Sequence, residues 1–393
     1  MAFLSDSVYR IRLDAMREIM RRDELKAIML FDSDFIQFIS NFNIDVEPWE
    51  RPIVAVVPID AEPFLILNAL SKTHYQIRSK AGTTWISDVT FYSEYPQTGG
   101  VTLLNCVEAI SSLLQRTNLT TGRIGTDSSS EWGGDIVRIH PQITLVHERQ
   151  ALRDIRRAKT PEELHLCRLG AELADWGQQQ YRQAYRPGCL SQEVDYFVAQ
   201  KLAVEAAHRF PGQQIDFRCG TRAGEASICP HGDGAATGAR IDPGWPLINA
   251  IVIRVNGLYI ENERTYLVEP VTDIQRNIYN VAARATAAGC AAAAAGNPVS
   301  AIHAAATQII ADAGLEKHLL HRTGHAMGIR HHDFPTDTGF NESPLRKGEV
   351  YSVEPGIYIP GVGGFRIDDT VIVDQEAEII TASDRHIEKM IIS

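Results

Sequence analysis

Four acidic residues in the later part of the chain have the side chains that ion binding or acid–base catalysis requires: Glu261, Glu263, Glu354 and Asp368. Alternate residues of a β-strand point to the same side, so Glu261 and Glu263 can enter one pocket while Asn262 points away. A solvated hairpin edge would show the same alternation. The two glutamates therefore indicate a site only together with groups from elsewhere in the chain.

Glu354 and Asp368 come from two later segments. Glu354 follows Tyr351-Ser352-Val353 in an apolar strand and precedes a Pro-Gly turn, which predicts an acid at the end of a buried strand. A buried carboxylate without a partner is costly, so we expect a cation, a metal ion or a hydrogen-bond donor beside it. Asp368 closely follows Arg366, and a local ion pair that stabilises the loop is an alternative explanation for it.

Histidines supply groups that move protons or bind metals near neutral pH. His325 lies between a glycine and an alanine, small neighbours that permit the close approach of a ligand. His231 lies in a loop of turn residues, where a solvated histidine is the simpler interpretation. His331 and His332 are adjacent, so regular structure would turn only one of them toward a pocket.

Converging carboxylates need compensation. Like charges about 5 Å apart repel by roughly 3 kcal/mol per pair at an effective dielectric constant near 20. Arg264 or Arg366, protonation of one acid, a metal ion or a cationic ligand would offset this repulsion. The sequence therefore predicts a pocket that attracts cations.

The composition indicates a folded protein of two domains. A chain of 393 residues exceeds one ordinary core, and its 44% hydrophobic and 22% charged residues are typical of globular proteins. The formal net charge of -11 gives no general attraction to nucleic acid or anionic membranes, which clustered lysine and arginine would provide. Cysteines without a Cys-x-x-Cys pair are typical of reduced thiols, so we expect a cytoplasmic location.

The first part of the chain, residues 1–155, has the pattern of a smaller α/β domain. Short apolar runs predict buried strands at residues 27–31, 53–57 and 64–67, and residues 103–115 have a helical pattern. Thr160-Pro161-Glu162-Glu163 then supplies the N-cap, proline and glutamate that begin a helix with a capping box. We place the domain boundary just before this helix.

The remaining residues, 156–393, predict an α+β domain. Residues 164–207 are helical in pattern, and strands follow at residues 247–255, 258–260, 265–268, 350–353 and 370–373. Two helices, residues 274–295 and 299–313, separate the two groups of strands. This order indicates a sheet with helices on one face, closing over a pocket. No segment is apolar enough to predict a membrane span.

The ordered motifs resemble the creatinase and Xaa-Pro peptidase family, which is M24-like and has the pita-bread fold. They are Gly324-His325-x-x-Gly328 with His332, Val353-Glu354-Pro355-Gly356-Ile357-Tyr358 and Arg366-Ile367-Asp368-Asp369. The resemblance covers nearly the whole chain. It implies a pita-bread catalytic domain at residues 156–393 and a creatinase-like N-terminal α/β domain at residues 1–155.

The metallopeptidase branch of this family implies two divalent ions held by two aspartates, one histidine and two glutamates. His325 and Glu354 match that set, while Glu261 stands for the second aspartate and Asp368 for the final glutamate. The first aspartate falls at position 249 or 250, which hold asparagine and alanine. The resemblance thus allows a metal-dependent Xaa-Pro dipeptidase or aminopeptidase with one Mn, Zn or Fe ion.

The metal-free creatinase branch implies other roles. His231 matches its catalytic histidine, Glu263 the acid that binds the substrate's cationic group, and Glu354 its second acid. Arg51 is similar to the arginine that reaches into the other subunit of a dimer to hold a substrate carboxylate. A second carboxylate-binding arginine is missing beyond His332, which argues against creatine itself.

From these features we expect a cytoplasmic, homodimeric hydrolase that cleaves a C–N bond in a guanidino, amidine or cyclic amidine acid. No metal or other cofactor is favoured. His231 would shuttle the proton, with Glu263 and Glu354 as the catalytic acids. Arg51, His325 and His332 would bind this small substrate, and neither nucleic acid nor a membrane is an expected partner. The alternatives are the metal-dependent peptidase, with Glu261, His325, Glu354 and Asp368 as ligands, and a non-catalytic binding protein of the same fold.

Overall fold

The computed structural model describes residues 4–96, 100–128, 131–232 and 238–393. Two compact units divide the chain, one extending up to Arg156 and the other beginning at Arg157. Among the helices of the described residues, none combines the length and the apolar character that crossing a membrane requires.

The N-terminal unit is built on a mixed sheet. Its strands are β1 (Ala27–Leu30), β2 (Val54–Pro58), β3 (Phe64–Asn68), β4 (Asp88–Tyr92), β5 (Gly122–Thr126) and β6 (Ile143–His147). They are ordered β4-β3-β2-β1-β5-β6, and β1 pairs antiparallel with β2 and parallel with β5. The helices are α1 (Asp6–Arg22), α2 (Ser33–Ser40), α3 (Lys72–Lys80), α4 (Cys106–Arg116), α5 (Glu131–Ile139) and α6 (Arg149–Asp154). A core of apolar side chains from the central strands and α4 holds this unit together.

The C-terminal unit contains two sheets and a separate hairpin. Its strands are β7 (Ile215–Ala223), β8 (Pro246–Val255), β9 (Leu258–Val268), β10 (His325–Ala326), β11 (Val350–Val353), β12 (Gly356–Ile359), β13 (Gly363–Arg366), β14 (Asp369–Ile372), β15 (Glu378–Ile379) and β16 (Ile391–Ile392). One sheet has the order β16-β9-β8-β7, the other β10-β11-β14-β15, and β12 pairs with β13. The backbones of Glu263 and Asp368 pair across the gap between the two sheets. The acids of the two sheets are thereby brought together.

Helices cover the sheets of this unit. They are α7 (Pro161–Ala184), α8 (Ser191–Arg209), α9 (Asp273–Ala292), α10 (Ser300–Asp312) and α11 (Ile387–Met390). Thr160 and Glu163 form the predicted capping box at the start of α7. Two glycines let α7 approach β8 and β9 closely, since a Cβ at Gly170 would come within 2.9 Å of Ile260 and one at Gly177 within 2.8 Å of Ile251. One face of the sheet is therefore covered by helix, and the acids face the other side.

The structure contains several strands that the sequence analysis did not predict, namely β4 to β7, β10, β12, β13, β15 and β16, and one strand that is longer than predicted. Strand β9 continues without a break from Leu258 to Val268, because every residue but one in it is buried between neighbours on both faces. Strand β7 was not predicted, since it is an edge strand whose residues are mostly half-exposed and mix polar with apolar types. It pairs antiparallel with β8 along its whole length.

Candidate metal centre

Strand β9 delivers two carboxylates to one side, as the alternation of its residues predicts. In the register of β8 and β9, Glu261 lies opposite Val252, and Glu263 lies opposite Ala250. Asn262 points the other way, where its side-chain amide donates to Asp175 at 2.8 Å. The site therefore lies on the face of the sheet that α7 leaves free.

His325 enters the site from β10. Gly324 precedes it with a φ of +78°, and a Cβ there would lie 1.9 Å from the carbonyl oxygen of Ser352, so only glycine allows β10 to approach β11 this closely. The His325 Nδ1 lies 3.1 Å from the Ala326 carbonyl oxygen, to which it donates. This contact leaves the Nε2 lone pair facing the acids, as second-shell hydrogen bonds do for metal-binding histidines.

The Nε2 atom of His325 faces two carboxylates without a hydrogen bond. It lies 3.7 Å from Glu261 Oε2 and 3.8 Å from Glu354 Oε1, and the His325 side chain is only 1% exposed. Within the described part of the chain, neither this nitrogen nor Asp368 Oδ1 has a hydrogen-bond partner. Buried polar atoms normally have a hydrogen-bond partner. The two unpaired atoms, His325 Nε2 and Asp368 Oδ1, therefore fit a site that binds a cation.

The donor atoms are close enough to share an ion. Glu261, Glu263 and Asp368 each offer an oxygen within 4.8 Å of the others, and His325, His331 and His332 offer nitrogens equally close together. Imidazole nitrogen and carboxylate oxygen are the ligands that Zn, Mn and Fe ions accept. The residues present therefore fit a divalent metal ion.

The acids respond differently to their burial. Burial raises the pKa of Asp368 well above its usual value, and the negative charges of Glu261 and Glu354 add to this effect. Burial also acts to raise the pKa of Glu261, but contacts with His325 and His331 outweigh it and hold that pKa well below its usual value. Without an ion, Asp368 therefore keeps a proton more readily than an ordinary aspartate, whereas Glu261 loses its proton more readily than an ordinary glutamate.

Glu263 is already paired with arginines. Its carboxylate accepts from Arg366 Nη2 at 2.7 Å and contacts Arg366 Nε, and Arg222 Nη1 lies 3.5 Å away. Arg366 also reaches to within 3.7 Å of Glu354. Arg366 therefore pairs with Glu263 and not with the nearby Asp368. A local ion pair does not explain Asp368. Arg264 pairs with Asp369 at 2.9 Å in the interior, and its Nη1 donates to the backbone carbonyls of Glu263 and Asp368 at 2.8 and 2.6 Å.

The structure decides which residue occupies the place of the missing aspartate. Asn249 points away from the acids, and its side-chain oxygen accepts from Gln178 at 3.0 Å. Ala250 faces the site directly opposite Glu263. A methyl group supplies no ligand, so this position contributes nothing to an ion.

The loop after β10 brings both adjacent histidines to the site. The predicted choice between them fails because residues 327–332 adopt neither helix nor strand. His331 Nε2 lies 2.9 Å from Glu261 Oε2. His332 stacks on His325 with ring centroids 3.6 Å apart, while its other side is exposed. Burial and the charges of His325 and His331 lower the pKa of His332 to about 3, so it is neutral.

His231 lies farther out in the same unit. It is exposed, and it lines a cavity of about 540 Å³ together with Arg222 and Ala250. The preceding carbonyl, of Pro230, accepts from Arg366 at 2.9 Å. The next residues of its loop, 233–237, lie outside the described part of the chain.

Arg51 belongs to the N-terminal unit. It forms ion pairs with Glu50 at 2.5 Å and with Glu94 at 3.1 Å, and its side chain is 25% exposed. Its predicted reach into a partner subunit stays a prediction.

Comparison with known proteins identifies two regions. The sequence pattern described as "Metallopeptidase family M24" matches residues 166–375, and that of the "Creatinase/Prolidase N-terminal domain" matches residues 12–134. The Xaa-Pro dipeptidase of Lactobacillus delbrueckii subsp. lactis is 27% identical over 372 residues, which is 93% of this chain and 95% of the relative. The putative dipeptidase YkvY of Bacillus subtilis is 27% identical over 337 residues, covering 85% of this chain and 87% of its own.

Solved structures share the fold. The prolidase from Pyrococcus horikoshii OT3 has a TM-score of 0.78 at 21% identity and covers 96% of this chain and 99% of its own. The N-terminal domain of FACT complex subunit SPT16 from chickpea has a TM-score of 0.74 at 14% identity, covering 98% and 99%. The predicted pita-bread fold with an N-terminal α/β domain is confirmed.

Two predictions are wrong. One relative is named an Xaa-Pro dipeptidase, the other a putative dipeptidase, and the matched sequence pattern is that of Metallopeptidase family M24, which overturns the metal-independent hydrolase of guanidino, amidine or cyclic amidine acids. The physical reason is visible at Glu263, where Arg366 and Arg222 already fill the place reserved for a substrate's cation. The expectation that no cofactor is favoured is wrong as well, because the acids form one group of possible metal ligands and His325, which belongs to a second such group, faces Glu261 and Glu354. The chain is a hydrolase that belongs to Metallopeptidase family M24.

Proposed function

We propose that this protein is a metal-dependent peptidase that hydrolyses the peptide bond before proline in short Xaa-Pro substrates. The observation that carries the proposal is the buried Nε2 of His325, which faces Glu261 and Glu354 at 3.7 and 3.8 Å without a hydrogen bond. The full-length similarity to Xaa-Pro dipeptidases supports the choice of substrate.

The ligands of one Mn, Zn or Fe ion would be Glu261, His325, Glu354 and Asp368. A divalent ion at such a site lowers the pKa of bound water and polarises the peptide carbonyl. The lowered pKa of Glu261 favours its ionised form, which can bind an ion, whereas the raised pKa of Asp368 makes protons compete with the ion for that carboxylate. Arg366 Nε lies 3.7 Å from Glu354 Oε2, so that Glu354 Oε1 is directed toward His325.

A neutral histidine, His332, and a charged arginine, Arg51, would position the peptide. His332 is exposed on the outer side of His325, where a neutral imidazole can exchange a hydrogen bond with a substrate amide. Arg51 would hold the terminal carboxylate from the partner subunit of a homodimer, after exchanging Glu50 and Glu94 for the substrate. The dimer and the cytoplasmic location are part of this proposal.

One ion, rather than two, suits the charges of the site. Ala250 removes the ligand that a second ion would need on β8. Arg366 and Arg222 contact Glu263 and supply two fixed positive charges beside it. A second divalent ion here would meet these guanidinium groups and be repelled.

Metal analysis combined with a peptide assay tests the proposal. Purified protein should contain about one ion per chain, lose hydrolysis of Xaa-Pro dipeptides after chelation and regain it on addition of Mn, Zn or Fe. Dipeptides with alanine in place of proline are the matched control substrates. Loaded protein that hydrolyses no Xaa-Pro peptide would contradict the proposal.

A further inference from the structure

We propose that His331 is a ligand of the same ion, so that the centre has two imidazoles rather than one. The inference rests on the metal of the proposed function but not on the peptidase activity. Neither the family motifs nor the ligand set of the sequence analysis includes this residue. Its place in the structure follows from the irregular loop after β10.

The distances around Glu261 fit an ion between three donor atoms. Glu261 Oε2 lies 2.9 Å from His331 Nε2 and 3.7 Å from His325 Nε2. Ligands about 2.1 Å from a zinc ion at tetrahedral angles lie roughly 3.4 Å apart. The two observed separations stand on either side of that value, so small side-chain rotations bring all three atoms into the first coordination sphere.

The orientations of the rings select His331 over its neighbour. The rings of His325 and His331 are nearly perpendicular, at 85°, with centroids 5.4 Å apart. The rings of His325 and His332 are nearly parallel, at 17°. Lone pairs of parallel stacked rings point in parallel directions, whereas the Nε2 atoms of His325 and His331 both lie beside Glu261.

The backbone fixes His331 to the strand that carries Glu261. The amide of Tyr259, on β9, donates to the Gly328 carbonyl at 2.9 Å, and the His331 ring lies 5.8 Å from the Tyr259 ring. A Cβ at Gly328 would lie 2.5 Å from Asp333 Oδ2, so the loop folds tightly at this glycine. The His331 side chain is 22% exposed, which leaves a path for an ion from solvent.

A second imidazole changes which metal the site prefers. Carboxylate-rich sites suit Mn, whereas imidazole ligands suit Zn, Cu, Fe and Ni. With His325 and His331 against Glu261, Glu354 and Asp368, the site moves toward the second group. We therefore expect Zn²⁺ to bind more tightly than Mn²⁺, and we expect that difference to shrink in His331→Gln.

Counting the bound nitrogens tests the assignment without measuring activity. Protein loaded with one equivalent of Cu²⁺ should show two imidazole nitrogens by pulsed electron paramagnetic resonance. His331→Gln should show one and should bind Zn²⁺ at least tenfold more weakly by calorimetry. Glutamine keeps a donor for Glu261, so a role in positioning alone predicts neither loss. His332→Gln is the matched control and should keep two nitrogens.

Several outcomes would overturn the inference. They are one nitrogen in the unmodified protein, two in His331→Gln, or one in His332→Gln. The first of these needs no variant, so a folding defect in His331→Gln leaves the test intact. If the unmodified protein binds no ion at stoichiometric amounts, the proposed function fails as well. One bound ion with a single nitrogen removes only His331.

Discussion

Replacement of Arg366 by methionine should destabilise the C-terminal unit strongly. Arg366 is 3% exposed, and its guanidinium pairs with Glu263, which is 2% exposed. The substitution leaves Glu263 with only the distant contact to Arg222 at 3.5 Å, beside Glu354 and the other acids. Because both side chains are buried, water does not replace the positive charge that Glu263 loses.

The size of the effect follows from the burial of both partners. Removing one member of a buried ion pair costs about 3–5 kcal/mol, because the remaining charge is desolvated and unpaired. For a domain of about 200 residues each kcal/mol lowers the unfolding midpoint by about 2–4 °C, so we expect a fall of about 6–20 °C. The double variant Arg366→Met with Glu263→Met removes both charges and should recover most of the loss.

Urea unfolding and thermal unfolding in the presence of a chelator measure this difference. The matched control is Arg276→Met, because Arg276 forms a pair with Glu388 at the same 2.7 Å but the two side chains are 36% and 60% exposed. This variant should lose no more than about 1 kcal/mol. The reasoning is refuted if Arg366→Met is no more harmful than the control, or if the double variant is less stable than Arg366→Met alone.

Three further predictions concern the ion and the substrate. Burial raises the pKa of Asp368, so protons compete with the ion for its carboxylate and metal affinity should rise with pH; calorimetry in buffers of different ionisation enthalpy should show proton release that Asp368→Asn reduces. Equal release by both proteins would contradict this. Ala250→Asp should still bind one ion per chain by elemental analysis, because Arg366 and Arg222 keep two positive charges beside Glu263; two ions per chain would contradict this. Arg51→Ala should raise KM for Xaa-Pro dipeptides about tenfold or more while kcat stays unchanged, as expected for a lost charge-assisted hydrogen bond; an unchanged KM would remove Arg51 from the substrate site.

Local sequence signals were sufficient where the cause of a structure is itself local. Thr160 and Glu163 predict the start of α7 because the capping box needs only four residues. The alternation along β9 predicts that Glu261 and Glu263 share a face because a strand repeats every two residues. The family motifs around His325 and Glu354 predict the fold, which the comparisons confirm.

Signals that depend on register or on long-range partners were beyond the sequence. The choice between Asn249 and Ala250 requires the pairing of β8 with β9, since a shift of one residue turns each side chain to the other face. Arg366 finds its partner Glu263 more than a hundred residues away. His331 contacts Glu261 because the loop that carries it is neither helix nor strand. The signal in the sequence for that contact was the pair of adjacent histidines that follows Gly328.

The chemistry of the site follows from what a guanidinium group lacks. Arg366 and Arg222 neutralise Glu263 as a second ion would, but they have no vacant coordination position and do not bind water as a Lewis acid does. Fixed charges therefore replace the structural part of a second ion and not its reactive part. Hydrolysis in this chain must then depend on the group of donors around His325, and loss of that single ion should abolish turnover while the arginines keep the fold intact.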